Sequence, residues 1–253
     1  MKIIEFYNAL SKLYPSSLSS SWDNDGLMCC PDDNAEVKKV LVALDATESV
    51  LKTAEEGGFD TVLCHHPLIF KGLRALNSFD VVGRRVIRAM KAGISVISLH
   101  TRLDAGEEGV NDALAKALGL TDLTPFGDED SPTLGRIGST SVCDPAEFGS
   151  LVKNALGAPS VCAHISHPVS RVAVVGGGGG DLISAAEKAG ADTLVTGESG
   201  YNKSLDSAES GINIFTAGHF YTERVVLPRL ADLAKTVAGA EAYVLEDVPE
   251  TFF

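Results

Sequence analysis

Two adjacent imidazoles, His65 and His66, close the run Thr61-Val62-Leu63-Cys64 and are followed by Pro67. The β-branched and apolar run reads as a buried strand, and the proline ends its ladder. Two nitrogen ligands therefore stand at the carboxyl end of a strand, where open α/β sheets place their ligand sites. Histidine is the commonest metal ligand among side chains. A lone histidine there would read as a satisfied core residue, but two in succession leave one to be buried without an obvious partner. Three more predicted strand ends carry competent side chains: Leu99-His100-Thr101-Arg102-Leu103-Asp104, Gly197-Glu198, and Gly218-His219 through Glu223. His219 and Glu223 are four apart at the predicted start of a helix, on one face. Such a pair can hold or bridge metals; on a plain helix surface it is worth only roughly 0.2–0.5 kcal/mol.

His65, His66, Asp104, His219 and Glu223 together offer more donors than the three protein ligands of a single catalytic zinc. They suit two divalent ions with a bridging carboxylate and water, a pair that activates water and clamps phosphoryl or carbonyl oxygens. The mixed nitrogen and oxygen set fits Zn, Mn, Fe, Co or Ni better than Ca. Glu198 and His100 are candidates for general acid/base work, and equally for orienting ligands by hydrogen bonding. The glycine run 176–180 offers backbone amides to an anion, or simply a tight strand-to-helix turn. It lacks the third glycine of a dinucleotide fingerprint and the Lys-Ser/Thr of a P-loop. Trp22 is expected in the core, and Cys64 as a buried thiol. His164 and His167 are expected to be surface or structural residues.

These residues must be positioned by alternating strands and helices. Helices are expected over 3–13, 48–56, 81–91, 109–118, 145–156, 182–189 and 221–236. Strands are expected at 40–44, 61–64, 94–99, 136–142, 171–175, 192–196, 212–216 and near Tyr243. The rhythm implies an α/β fold of two lobes with parallel or mixed sheets covered by helices. The polar, proline-bearing stretch 121–133 is the expected linker, dividing an N-terminal lobe (1–125) from a second lobe (126–253).

The chain has 253 residues and a formal net charge of −13, which argues against general affinity for nucleic acid. A small anionic substrate remains compatible, because bound cations invert the local charge. Five cysteines without a CxxC spacing fit a reducing cytoplasm better than a disulfide framework. The N-terminal stretch lacks a signal-peptide pattern, and no run is apolar and long enough to span a bilayer, so a cytoplasmic protein is expected.

Six segments occur in order: WDNDGL (22–27), CHHPLIF (64–70), HTRLDAGEEGVND (100–112), GGGGGD (176–181), DTLVTGE (192–198) and GHFYTER (218–224). Together they resemble the NIF-three-like (YbgI-like) family, often labelled "GTP cyclohydrolase 1 type 2 homolog". The resemblance implies a dinuclear metal site on His65, His66, Asp104, His219 and Glu223. It also implies two interlinked α/β lobes without a mid-chain insertion, and a toroidal homohexamer whose metal sites face an internal cavity. The sequence departs from the family pattern at Asp25, where an apolar residue is common, at Arg102, where Asn is common, and at Asn202, near a frequent His. Arg102 and Asn202 are expected close to the site. Two functions follow as expectations. One is a metal-dependent hydrolase that acts on a small anionic substrate such as a nucleotide through a metal-activated water. The other is a non-catalytic metal-binding or regulatory interaction protein.

Overall fold

The apolar runs become the strands of two mixed sheets in this computed structural model, which describes residues 1–248. In chain order the strands are β1 (Gly26–Cys29), β2 (Lys39–Ala43), β3 (Thr61–Cys64), β4 (Ser95–Ser98), β5 (Thr121–Phe126), β6 (Gly135–Ser139), β7 (Cys162–His164), β8 (Arg171–Val175), β9 (Thr193–Thr196), β10 (Asn213–Thr216) and β11 (Glu241–Val244). The first sheet has the order β1-β4-β3-β2-β11 and the second β5-β6-β8-β9-β10-β7. Strands buried on both faces read as unbroken apolar runs, and β3, β4 and β9 are buried at every residue.

By contact the described chain divides into two units: residues 1–103 with 227–248, and residues 104–226. The return of the chain to the first unit brings β11 into parallel register with β2, Tyr243 opposite Leu41. This differs from the expected division at 125/126. The stretch expected as a linker holds β5, an edge strand exposed at five of its six residues. A strand with both faces in water needs no apolar residues, and Pro125 is tolerated on an edge, so composition mimics a loop.

Parallel register decides which residues surface together. In the first unit Ala43, Cys64 and Ser98 lie level across β2, β3 and β4. The residues that follow, Leu44-Asp45, His65-His66 and Leu99-His100, therefore leave the sheet at one edge. In the second unit Val175, Thr196 and Thr216 lie level across β8, β9 and β10, so Gly176-Gly177, Gly197-Glu198 and Ala217-Gly218-His219 leave together.

Helix boundaries follow their caps. Thr47 accepts from the amide of Val50 at the start of Glu48–Glu56, and Asp80 from that of Gly83 at the start of Val81–Ala92. Asp144 caps Pro145–Leu156 with Pro145 in the first turn. The helix expected over 221–236 is broken. His219–Glu223 ends in a 3₁₀ turn at Arg224–Val226, and a new helix runs Leu227–Ala238. Pro228 explains the break: its ring would clash with the carbonyl four residues back in a continuous helix. Tyr201–Glu209 is a helix that the apolar pattern did not reveal, because only Ser204 on it is buried.

Candidate metal centre

In the first unit the ligand atoms of His65, His66 and His100 lie within 4.8 Å of one another. The amides of both His65 and His66 donate to the carbonyl of Leu44, which turns the chain sharply at the end of β3. Each ring is then fixed by its Nδ1. His65 Nδ1 is 2.9 Å from the Leu99 carbonyl oxygen, His66 Nδ1 2.9 Å from Asp45 Oδ1, and His100 Nδ1 2.8 Å from Asp23 Oδ1. A carbonyl or carboxylate oxygen can only accept, so the partners assign the proton of each neutral ring to Nδ1 and the lone pair to Nε2. This is the arrangement of metal-ligating histidines, whose second nitrogen donates to a carboxylate or carbonyl. His65 is fully buried, while His66 and His100 are partly open.

Asp23 has a fully enclosed side chain and does several jobs at once. Besides His100 it accepts from the amide and the hydroxyl of Thr101. Burial opposes its charge, yet these hydrogen bonds and the neighbouring imidazole hold its carboxyl down at about 2. Cys64 is buried as expected; desolvation pushes its thiol up to about 12, and its Sγ donates to the carbonyls of His66 (3.2 Å) and Ile97 (3.5 Å).

The second unit supplies a group of different composition. His219 Nε2 is 3.1 Å from Glu223 Oε2, and His219 Nδ1 is 3.2 Å from Glu198 Oε1. With Nδ1–H directed at Glu198, the lone pair on Nε2 faces a carboxylate oxygen. That juxtaposition suits a cation between them or a protonated ring. Donors about 2.0–2.2 Å from one zinc ion, at right or tetrahedral angles, are separated by roughly 3 Å, which matches the pair. Glu223 is 4% exposed, so its charge needs such compensation. Asp104 lies on the short helix Thr101–Ala105, directly after His100, and is also buried.

Asn111, which sequence reasoning missed, ties this group together. It is fully buried and donates to the carbonyls of Asp104 (3.3 Å) and Leu134 (2.7 Å), while its Oδ1 accepts from the Gly176 amide (2.8 Å). An Asn on an apolar helix face was the available signal. The glycine run is not the open anion cradle considered from sequence. The amides of Gly176, Gly177 and Gly179 go to Asn111, Thr222 and Thr196 side chains. Glycine is required at Gly177 for another reason: its φ is +63°, and a Cβ there would stand 2.2 Å from Glu223 Oε1.

Two other expectations change. Arg102 does not face the site. It is buried and forms a bidentate pair with Asp25 (Nε to Oδ2 2.8 Å, Nη2 to Oδ1 2.5 Å) and donates to the Tyr14 carbonyl. The charges of Asp25 and Arg102 thus compensate each other. Trp22 is not a core residue but 58% exposed. Asn202 is exposed on the helix Tyr201–Glu209. Glu198 lines a cavity of about 410 Å³ with Gly178, Asp181, Ser199 and Lys203.

The donor set therefore fits divalent metal: imidazoles of fixed tautomer in one unit, and an imidazole paired with a buried carboxylate in the other. Among the described residues no helix is long and apolar enough to cross a membrane. Comparison with known proteins agrees with the fold. A "GTP cyclohydrolase 1 type 2 homolog" of Clostridium perfringens is 33% identical over 243 residues, covering 93% of this chain and 92% of that protein. The crystal structure of a hypothetical protein of Staphylococcus aureus superposes with a TM-score of 0.90 at 27% identity, covering 100% and 99% of the two chains. A structure titled protein ybgI, of unknown function, matches at 0.86 and 26%, covering 99% of each. The family model described as Duf34/NIF3 (NGG1p interacting factor 3) matches residues 1–248. The chain belongs to the Duf34/NIF3 family.

Proposed function

We propose that this protein is a hydrolase of nucleotides that works with two divalent metal ions held by His65, His66, Asp104, His219 and Glu223. The observation that carries the reading is the common tautomer of His65, His66 and His100, each with Nδ1 against an acceptor and Nε2 bearing the lone pair. Bound ions of this kind lower the pKa of water and polarise phosphoryl or ring-carbon centres. The chain's own residues do the rest. Asp45 and the Leu99 carbonyl orient the His66 and His65 rings, and Asp23 orients His100. Glu198 fixes the His219 ring and, 64% exposed at its side chain and lining the adjoining cavity, exchanges protons with the substrate in this reading. His100, 15% exposed at its side chain and backed by the Asp23 carboxylate, is the second proton carrier.

The name that the relatives carry, which refers to GTP, supports a nucleotide over other anions. A homohexamer in the cytoplasm, with the sites facing an internal cavity, belongs to the same proposal. The test is to reconstitute the protein with Zn or Mn, measure bound metal, and assay GTP and a panel of phosphoesters beside His66→Ala and His219→Ala. Two metals per chain, with turnover abolished in both variants, is the expected result. Metal bound without turnover on any substrate would replace the hydrolase with a metal-binding or regulatory role. No metal bound after reconstitution would remove the site itself.

A further inference from the structure

Trp22 is the only tryptophan of the chain and is 58% exposed, an unusual position for the largest apolar side chain. It is not on a loose tip. Its indole packs edge-on against Phe70 and against His100, each at 6.0 Å between ring centroids, and Phe70 meets His100 at 6.2 Å. The flanking residues fix the loop. Asp23 binds His100 and Thr101, Asn24 Nδ2 donates to the Ile69 carbonyl at 2.5 Å, and Asp25 holds Arg102. Phe70 is 45% exposed. His100 continues into His65 and His66, with ring centroids 5.3 and 5.7 Å away. The result is one contiguous row of rings, in which the indole of Trp22 and the phenyl ring of Phe70 stay open to solvent and the imidazoles of His100, His65 and His66 follow.

We propose that Trp22 and Phe70 form a stacking platform for the nucleobase of the substrate, beside the His65/His66/His100 group. This rests on the metal-site reading given under the proposed function. A preset aromatic surface binds planar heterocycles because every base has a π-face, and a rigid ring loses little entropy on binding. The net charge of −13 disfavours a polymeric polyanion, so the ligand is a single nucleotide rather than nucleic acid. Leu73, Leu76 and Phe79 are also exposed along the same connection, which makes a second copy of the chain the competing occupant.

The single tryptophan makes the test direct, since all indole emission comes from residue 22. Zinc-loaded and untreated protein would be titrated with GMP, and in parallel with ribose 5-phosphate and pyrophosphate, which lack a base. Saturable quenching by GMP alone is expected. By calorimetry Trp22→Ala should weaken GMP binding about tenfold or more, while Trp22→Phe retains most of the affinity. Zinc content should be unchanged in both variants. Equal quenching by the base-free probes, or wild-type GMP affinity in Trp22→Ala, would overturn the platform. So would an indole spectrum that shifts with protein concentration alone, which would place a second copy on it. Zinc binding without any GMP response would remove the platform and leave the metal site standing. A GMP response without zinc binding would do the reverse.

Discussion

Substituting Gly177 by alanine should separate metal binding from folding. The residue has φ +63°, and an added Cβ would lie 2.2 Å from Glu223 Oε1, 2.9 Å from His219 Nε2 and 3.1 Å from Glu223 Cδ. The left-handed backbone costs an L-residue about 1 kcal/mol. For a chain of this size that lowers the melting temperature by only about 2–4 °C. The steric conflict falls on the end of a flexible side chain, which can swing, so the fold survives. The carboxylate cannot swing without moving about 1 Å towards ordinary contact distance, and a metal site tolerates only about 0.2 Å. Disturbing even an outer partner of a ligand costs about 10–100-fold in metal affinity, and displacing a ligand costs at least the upper figure. Gly178→Ala is the matched control, because φ there is −88° and an added Cβ meets nothing within 4 Å. Zinc affinity is read by chelator competition and stability by thermal melting of the metal-free proteins. Gly177→Ala should lose about 100-fold in affinity with a small melting shift, and Gly178→Ala should lose neither. Wild-type zinc affinity in Gly177→Ala, or an equal loss in Gly178→Ala, would refute the placement of Glu223 as a ligand.

Two further outcomes follow from the first unit. Asp25→Val and Arg102→Asn each strand a buried charge (the side chains are 2% and 3% exposed), and each should destabilise by about 3–5 kcal/mol in denaturant unfolding. The double variant, which removes both charges, should lose much less than the two singles together, and strict additivity would show that the pair is not coupled. Asp23, held at about 2 when folded against about 3.9 when unfolded, contributes roughly 2–3 kcal/mol of stability. The sign is that of a depressed carboxyl: the contribution is complete above about pH 4 and is lost as pH falls through about 2. The stability advantage of wild type over Asp23→Asn should therefore shrink between pH 5 and pH 2, and a constant difference across that range would contradict the assignment.

Most helices and the buried strands were legible because their apolar periodicity is set by burial, and caps such as Thr47 and Asp144 mark their starts. The edge strands β5 and β7 were not, because a strand with a solvated face or edge need not be apolar, and β1 was not because its four residues are too short a run to show a period. The candidate ligands could be picked out by type and spacing, since imidazoles and carboxylates at strand ends have few other reasons to be there. Their supporting residues could not. Asp45, Asp23 and Asn111 lie 21, 77 and 65 positions from their partners His66, His100 and Gly176. Nothing in local composition connects them.

The sequence by itself determined the α/β class, the family and the residues able to bind metal, because these depend on side-chain chemistry and on the period of hydrophobicity. Only the tertiary structure decided which nitrogen of each histidine bears the lone pair, since that depends on acceptors brought by other strands. It also decided that Arg102 answers Asp25 rather than a substrate, and that the one tryptophan lies open beside the imidazoles instead of in the core. These are matters of register and loop packing. A parallel sheet sets them by levelling the ends of strands that are far apart in the chain.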